Sequence, residues 1–287
     1  MGLTMKKINA YLKLMRPEVL LAGFAVTIGQ AVALGALPPL KEAVLGYFTG
    51  LFISSAATVF NDYFDIQVDR ANRINRPLVT GEVSKPEAIG LGVLLSILGF
   101  ASSAVLGTYA FATCVMIWVI AFLYNWKLKG ILIIGNLLVS TCIGAVFLFA
   151  AFSVNAKIGT LVMFVAVLCG LANFGVEVSA SALDLKGDKK RNSNSIAVRF
   201  GKAKALQIAG GIFLLYACGT FVPVIIGWFG WKYLLLMLGS NAIVGYYFFK
   251  VYNCKNSEEG RIYLSRLWMV GFTAAFLTIL ISVMYSL

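Results

Sequence analysis

The chain reads as a series of long apolar runs broken by short polar intervals. Apolar stretches of about 20 residues, the length needed to cross a bilayer as helix, occur nine times: at about 18–36, 43–62, 86–106, 108–125, 131–151, 158–179, 203–222, 231–249 and 265–286. Most are apolar on every face rather than along one stripe, as expected of helices surrounded by lipid and by one another. Ser84-Lys85-Pro86-Glu87 supplies a clean start for the third, with Ser at the N-cap, Pro early in the helix and Glu three residues beyond the cap. The pattern predicts an all-α polytopic membrane bundle of about nine transmembrane helices, forming a single domain over 1–287. Two of the intervals, about 63–85 and 180–202, are long and lie four spans apart, which suggests two four-helix halves and a terminal helix.

Composition agrees with this reading and excludes other classes. Of 287 residues, 60% are hydrophobic and 13% charged, about half the charged fraction of a soluble domain. The absence of histidine rules out imidazole general bases and histidine-ligated metals. The five cysteines form no CxxC pair, and four lie within apolar runs, so neither a disulfide framework nor a zinc site is expected. The N-terminal segment runs into a full-length span without a small-residue cleavage site, unlike a removed signal peptide.

The net charge of +12 points to membrane topology rather than to nucleic acid. Placed on the nine spans, 21 of the 24 Lys and Arg fall on one side, leaving only Lys41, Lys157 and Lys232 on the other. The positive-inside rule makes the richer side cytoplasmic. The expectation is a multi-pass protein of the cell membrane with a cytoplasmic N-terminus and an external C-terminus.

Eleven of the twelve acids lie on that same side, and six of them form two clusters at span ends. In the first, a helix continuing unbroken would carry Asn61, Asp65 and Asp69 on one face, with Asp62 turned about 100° away. In the second, Glu177, Ser181, Asp184 and Asp188, spaced 4, 3 and 4, share a face in the same way. Stacked carboxylates repel, and a cation would hold them together. Hard oxygen ligands suit Mg²⁺, which binds through a few carboxylates together with substrate phosphates. Arg70, Arg73, Arg76, Lys186, Lys189, Lys190 and Arg191 surround the clusters, and Arg16, Tyr124, Lys127 and Lys129 lie at the same membrane level. Such groups fit a diphosphate leaving group. The rival readings are solvated loop acids flanked by ordinary positive-inside charge, a structural scaffold, and a secondary transporter. The transporter would carry acids near the bilayer midplane, where these spans have none.

The stretch Asn61-Asp62-x-x-Asp65-x-x-x-Asp69-Arg70, followed by Asn75-Arg76-Pro77-Leu78 and Gly81, resembles the first signature of the UbiA-type intramembrane prenyltransferases. Met15-Arg16-Pro17 before the first span, Tyr124 with Lys127 and Lys129, Asp184-Leu185-Lys186-Gly187-Asp188-Lys189 and Gly201-Lys202 are similar to further family features, so the resemblance covers nearly the whole chain. One position departs: Ser181 stands where the second signature usually has Asp, and a hydroxyl is a weaker Mg²⁺ ligand than a carboxylate.

The resemblance implies an Mg²⁺-dependent transfer of an isoprenyl group from its diphosphate, with both substrates drawn from the membrane. It implies Asn61, Asp65, Asp69, Asp184 and Asp188 as metal ligands, the four aspartates as the catalytic set, and Arg16, Arg70, Tyr124, Lys127 and Lys129 as diphosphate ligands. The runs from Arg16-Pro17-Glu18 to Gly23 and from Ile134 to Phe149 look most like the archaeal branch that attaches geranylgeranyl to geranylgeranylglyceryl phosphate. An aromatic, quinone-precursor acceptor is the alternative.

Overall fold

The computed structural model describes residues 2–131, 133–190 and 193–285; Arg191 and Asn192 lie outside them. Within these residues the chain is helical, with nine helical stretches long and apolar enough to span a membrane. Helix α1 (Gly2–Met15) precedes the spans, and a 3-10 turn (Pro17–Val19) leads into α2 (Leu20–Leu34). Then come α3 (Leu40–Phe64), the short helices α4 (Ile66–Ala71) and α5 (Pro77–Thr80), α6 (Lys85–Val105), α7 (Thr108–Trp126), α8 (Ile134–Ser153) and α9 (Thr160–Leu183). The short helices α10 (Leu185–Lys190) and α11 (Ile196–Phe200) follow, then α12 (Lys202–Gly219), α13 (Val222–Ile225) and α14 (Trp231–Tyr252). The last span is α15 (Ser257–Arg266) and α16 (Thr273–Tyr285), joined through a π-helical turn at Leu267–Phe272.

The outer surface carries large apolar side chains that a soluble protein would bury: Val167, Leu214 and Leu235 are all more than 60% exposed. Between helices, small residues allow close approach, as membrane bundles require where lipid tails compete for apolar contact. A Cβ at Gly144 would lie 2.6 Å from the Ala166 carbonyl oxygen, so α8 and α9 touch backbone to backbone there. Several buried polar groups pair across helices. Gln30 Nε2 donates to the Glu42 carbonyl and to Ser153 Oγ, both at 2.8 Å, and Trp118 Nε1 donates to Ser96 Oγ at 2.9 Å. The Ser84 cap forms as expected, with Glu87 accepting from the Ser84 backbone N–H at 2.8 Å.

Three differences from the sequence reading bear on the site. The N-terminal tail is a helix: Ala10 and Leu14 of α1 are buried against Ala56, Val59 and Phe60 of α3. The last span starts at Ser257 rather than near 265, so Arg261 belongs to a helix and not to a loop. Neither acidic cluster rides on an unbroken helix. Helix α3 ends at Asp65 (φ −92°, ψ 4°) and α9 ends at Asp184 (φ −100°, ψ 12°), each followed at once by a six-residue helix. The hydrogen bonds from Asp65 N to Asn61 O (2.9 Å) and from Asp69 N to Asp65 O (2.8 Å) persist across the bend, so the chain kinks without unravelling.

The two bent ends meet. Gly187 N donates to Asn72 Oδ1 at 3.0 Å, and a Cβ at Gly187 would fall 2.5 Å from Asn72 Nδ2 and 2.6 Å from Val68 Cγ1. Only glycine allows α10 to rest on α4 this closely. The two long connections therefore kink alike and touch one another.

Candidate active site

A cavity of about 400 Å³ runs into the bundle beneath this paired cap. Its shaft is apolar, lined by Val26 of α2, Ile53 of α3, Ile117 and Ala121 of α7 and Val146 and Phe149 of α8. Its head is polar: Arg16, Asn61, Arg76, Tyr124, Asn125, Lys129, Glu177, Ser181, Asp184 and Asp188. Along α3 the lining extends from Asn61 to Thr49, about 18 Å at 1.5 Å per residue. A second lobe of about 350 Å³ adjoins it, sharing Arg16, Ile143, Val146, Glu177, Ala180 and Asp184.

Of the residues expected to form a site, Arg16, Asn61, Tyr124, Lys129, Asp184 and Asp188 line this head. Asp65 and Asp69, 4% and 3% exposed, sit just behind it and are linked to it through basic residues. Lys129 pairs with Asp65, and Arg76 lies 3.3 Å from Asp69 Oδ2. Arg70 and Lys127 do not reach the cavity. Both are exposed, and Lys127 instead lies over the Trp126 ring, 4.2 Å from its centroid.

Asp62 is turned off the Asn61 face, yet it is no bystander. It is 2% exposed and pairs with both Arg16 and Arg76, holding two guanidinium groups at the cavity head. Arg16 adopts a left-handed backbone (φ 63°), a conformation costing about 1–3 kcal/mol for a non-glycine residue. The Asp62 pair and a 3.4 Å contact from Arg16 to Asn61 Oδ1 hold it there.

Other residues complete the head. Asn61 Nδ2 donates to Asn125 Oδ1 at 2.7 Å, and the Tyr124 hydroxyl donates to Glu177 at 3.0 Å. Arg261 of α15 donates from Nε and Nη2 to Asp184 Oδ1 at 3.0 and 2.8 Å. Arg76, Glu177, Asn125 and Arg261 were not among the site residues that the resemblance implied. Arg76 lay within the first signature, Glu177 within the second acidic cluster and Asn125 next to Tyr124, but nothing local marked Arg261.

Among the described residues, no three acids are gathered into a ready metal cage. Instead, Asp62, Asp65, Asp69 and Asp184 face Arg or Lys. The donor set nevertheless suits a hard cation, being carboxylate and amide oxygen throughout. Asp69 Oδ2 is also a buried oxygen with no hydrogen-bond partner. Burial raises the Asp69 carboxyl to about 6; Arg76 opposes that shift, and the neighbouring Asp62 and Asp65 add to it. An acid held above its ordinary range, with one oxygen met by an ion pair to Arg76 but by no hydrogen bond, suits a further cation.

Among the described residues, a nine-span helical bundle, with an apolar shaft under an acidic and basic head at one end, defines an integral membrane protein built to hold an anionic head and a long apolar tail together. Its relatives agree. Residues 22–270 match the model of the UbiA prenyltransferase family, and the chain belongs to that family of multi-pass membrane enzymes. It is 31% identical to the digeranylgeranylglyceryl phosphate synthase of Thermococcus kodakarensis over 251 residues, covering 87% of this chain and 89% of that one. It is likewise 31% identical to the synthase of Pyrococcus horikoshii over 220 residues, covering 76% and 79%. Among solved structures, one of a digeranylgeranylglyceryl phosphate synthase in membranes superposes with a TM-score of 0.70 at 27% identity, covering 96% of this chain and 98% of that one. A UbiA homologue from Archaeoglobus fulgidus bound to GPP and Mg²⁺ shares the fold, with a TM-score of 0.63 at 18% identity and coverage of 92% and 99%.

Proposed function

We propose that the protein transfers a geranylgeranyl group from its diphosphate to geranylgeranylglyceryl phosphate, releasing pyrophosphate at the cytoplasmic face of the cell membrane. The whole of 1–287 works as one domain. The observation that carries this reading is the cavity, whose polar head and deep apolar shaft match a prenyl diphosphate at both ends. The relatives favour a glycerol phosphate acceptor over an aromatic one.

In this reading Asn61, Asp65, Asp69, Asp184 and Asp188 hold Mg²⁺. When bound, Mg²⁺ neutralises diphosphate charge and makes pyrophosphate a better leaving group. Arg16, Lys129 and Tyr124 line the head and bind the diphosphate oxygens, with Arg76 beside them. Asp62 fixes the two arginines before substrate arrives, so little reorganisation is needed as charge develops on the leaving oxygen. Arg70 and Lys127, outside the cavity, serve as flanking positive charge.

The C1–oxygen bond of the donor breaks and its electron pair leaves with pyrophosphate. The acceptor hydroxyl oxygen bonds to the electron-poor C1, and its proton passes to Glu177, which lines both lobes. The short helices α4, α5, α10 and α11 lie in the two long connections and limit attack by water.

The test is pyrophosphate release by purified protein given geranylgeranyl diphosphate and a panel of acceptors, with and without Mg²⁺. Release that needs both Mg²⁺ and the glycerol phosphate acceptor, and that is abolished in Asp65→Ala, is expected. Wild-type turnover in Asp65→Ala would sink the metal assignment, and transfer only to aromatic acceptors would replace the acceptor.

A further inference from the structure

The second lobe shares part of its polar head, Arg16, Glu177 and Asp184, with the donor cavity. It shares Ile143 and Val146 with the apolar shaft, and its apolar wall includes Leu21 and Ala25 of α2 and Leu264, Trp268 and Phe276 of the last span. Arg261 stands at its head, in none of the sequence motifs. Its Nε and Nη2 are engaged by Asp184, and Nη2 also reaches the Leu183 carbonyl at 3.3 Å. Among the described residues Nη1 has no hydrogen bond, and the side chain remains about a quarter exposed. The other charged groups lining the lobe are Arg16, Glu18, Glu177 and Asp184. Glu18 accepts from Ser265 Oγ at 3.1 Å, and Arg16 is held by Asp62.

We infer that this lobe is the acceptor subsite: its apolar wall takes the isoprenyl chain of the acceptor, and Arg261 binds the acceptor's phosphate. The inference rests on the transferase reading above. With Asp184 turned to the metal and Glu177 taking the hydroxyl proton, Arg261 is left as the lobe's own cation, and a guanidinium fork suits a phosphate monoester. The shared wall then sets the geometry. A chain in each lobe, with both phosphate groups at the head, brings the acceptor hydroxyl to the donor C1 at the head that the lobes share. A neutral aromatic acceptor would have no use for Arg261, so this residue would determine specificity for phosphorylated acceptors.

The experiment compares wild type, Arg261→Gln, Arg261→Lys and Leu21→Trp, using the phosphorylated acceptor and the same molecule without its phosphate. One readout is the KM for each substrate. The other is thermal stabilisation by each acceptor, and by inorganic phosphate alone, in the presence of Mg²⁺ and a non-reactive donor analogue. Arg261→Gln should raise KM for the phosphorylated acceptor roughly ten- to hundredfold, as loss of a charged hydrogen bond does, and erase the preference for the phosphate-bearing molecule. Arg261→Lys should recover part of that preference. Leu21→Trp should weaken stabilisation by both acceptors, leaving that by the donor analogue intact.

An unchanged preference in Arg261→Gln would overturn the inference. So would a rise in donor KM with the phosphate preference retained, which would make Arg261 a support for Asp184 only. Stabilisation by inorganic phosphate equal to that by the phosphorylated acceptor would deny the lobe its chain-binding role. A wild-type enzyme that transfers to no glycerol phosphate acceptor at all would overturn both this inference and the reading beneath it.

Discussion

Gly187→Ala tests whether the contact between the two bent span ends is what assembles the site. Two effects oppose one another. Gly187 lies in α10, and alanine is favoured over glycine inside a helix by about 1 kcal/mol. Against this, the new methyl would sit 2.6 Å from Val68 Cγ1 and 2.5 Å from Asn72 Nδ2. Asn72 can swing away, but only by giving up the 3.0 Å bond it accepts from Gly187 N, a loss of about 0.5–1.5 kcal/mol. Val68 is β-branched and stiff at χ1, so α4 and α10 must separate, and overpacking of this kind costs about 1–3 kcal/mol. The clash outweighs the propensity, and a net loss of about 1–3 kcal/mol is expected. Asp188 is the next residue and Asp69 neighbours Val68, so activity should fall more than stability.

The assay is thermal unfolding in detergent alongside Mg²⁺-dependent pyrophosphate release. Gly239→Ala in α14, where the added methyl meets nothing within 4 Å, supplies the propensity effect alone and should be neutral or stabilising. Val68→Ala in the Gly187→Ala background removes the stiffer obstacle and should return part of both losses, as coupled neighbours do. If Gly187→Ala behaves like Gly239→Ala, with a higher melting temperature and full activity, the close contact between the caps is refuted.

Ser181 lines the cavity and spends its hydroxyl on the Val178 carbonyl at 3.0 Å. Ser181→Asp should therefore gain more stability from Mg²⁺ and a donor analogue than wild type does, about 1.4 kcal/mol for a tenfold tighter Kd; an equal gain would remove position 181 from the metal site. For orientation, in a background lacking the native cysteines, Asn253→Cys should label only from the cytoplasmic side and Gly230→Cys only from outside; the reverse pattern would invert the topology. Asp69 is raised from 3.8 to about 6, so in chelated protein the folded state binds more protons than the unfolded one across that window. Stability should fall as pH rises from about 4 to 6, by at most about 1.4 kcal/mol per pH unit from this group, and level off above; Asp69→Asn should flatten that segment, and an unchanged slope would show that burial of Asp69 is not its source.

The positions of the spans were legible in the sequence because a bilayer leaves an apolar run of about 20 residues few other choices. The charge bias, the acids at span ends and the capping box at Ser84 and Glu87 could be read for the same kind of reason, since each is a local rule about where charge and unsatisfied backbone can lie. Local rules stop at the bends. Nothing between Asn61 and Asp69 breaks a helix by composition, yet α3 bends at Asp65. Matching bends at Asp65 and Asp184 let α4 and α10 fold over the bundle and meet at Gly187 and Asn72. The partners of the acids were also out of reach of the sequence. Asp62 meets Arg16 from 46 residues earlier, and Asp184 meets Arg261 from 77 residues later. Those pairs depend on which helices stand side by side, and a helix that is apolar all round does not announce its neighbours. The sequence by itself determined that acids and cations gather at one membrane face. Only the tertiary packing decided which acid meets which cation, that Arg70 and Lys127 fall outside the cavity, and that a second lobe opens beside Arg261.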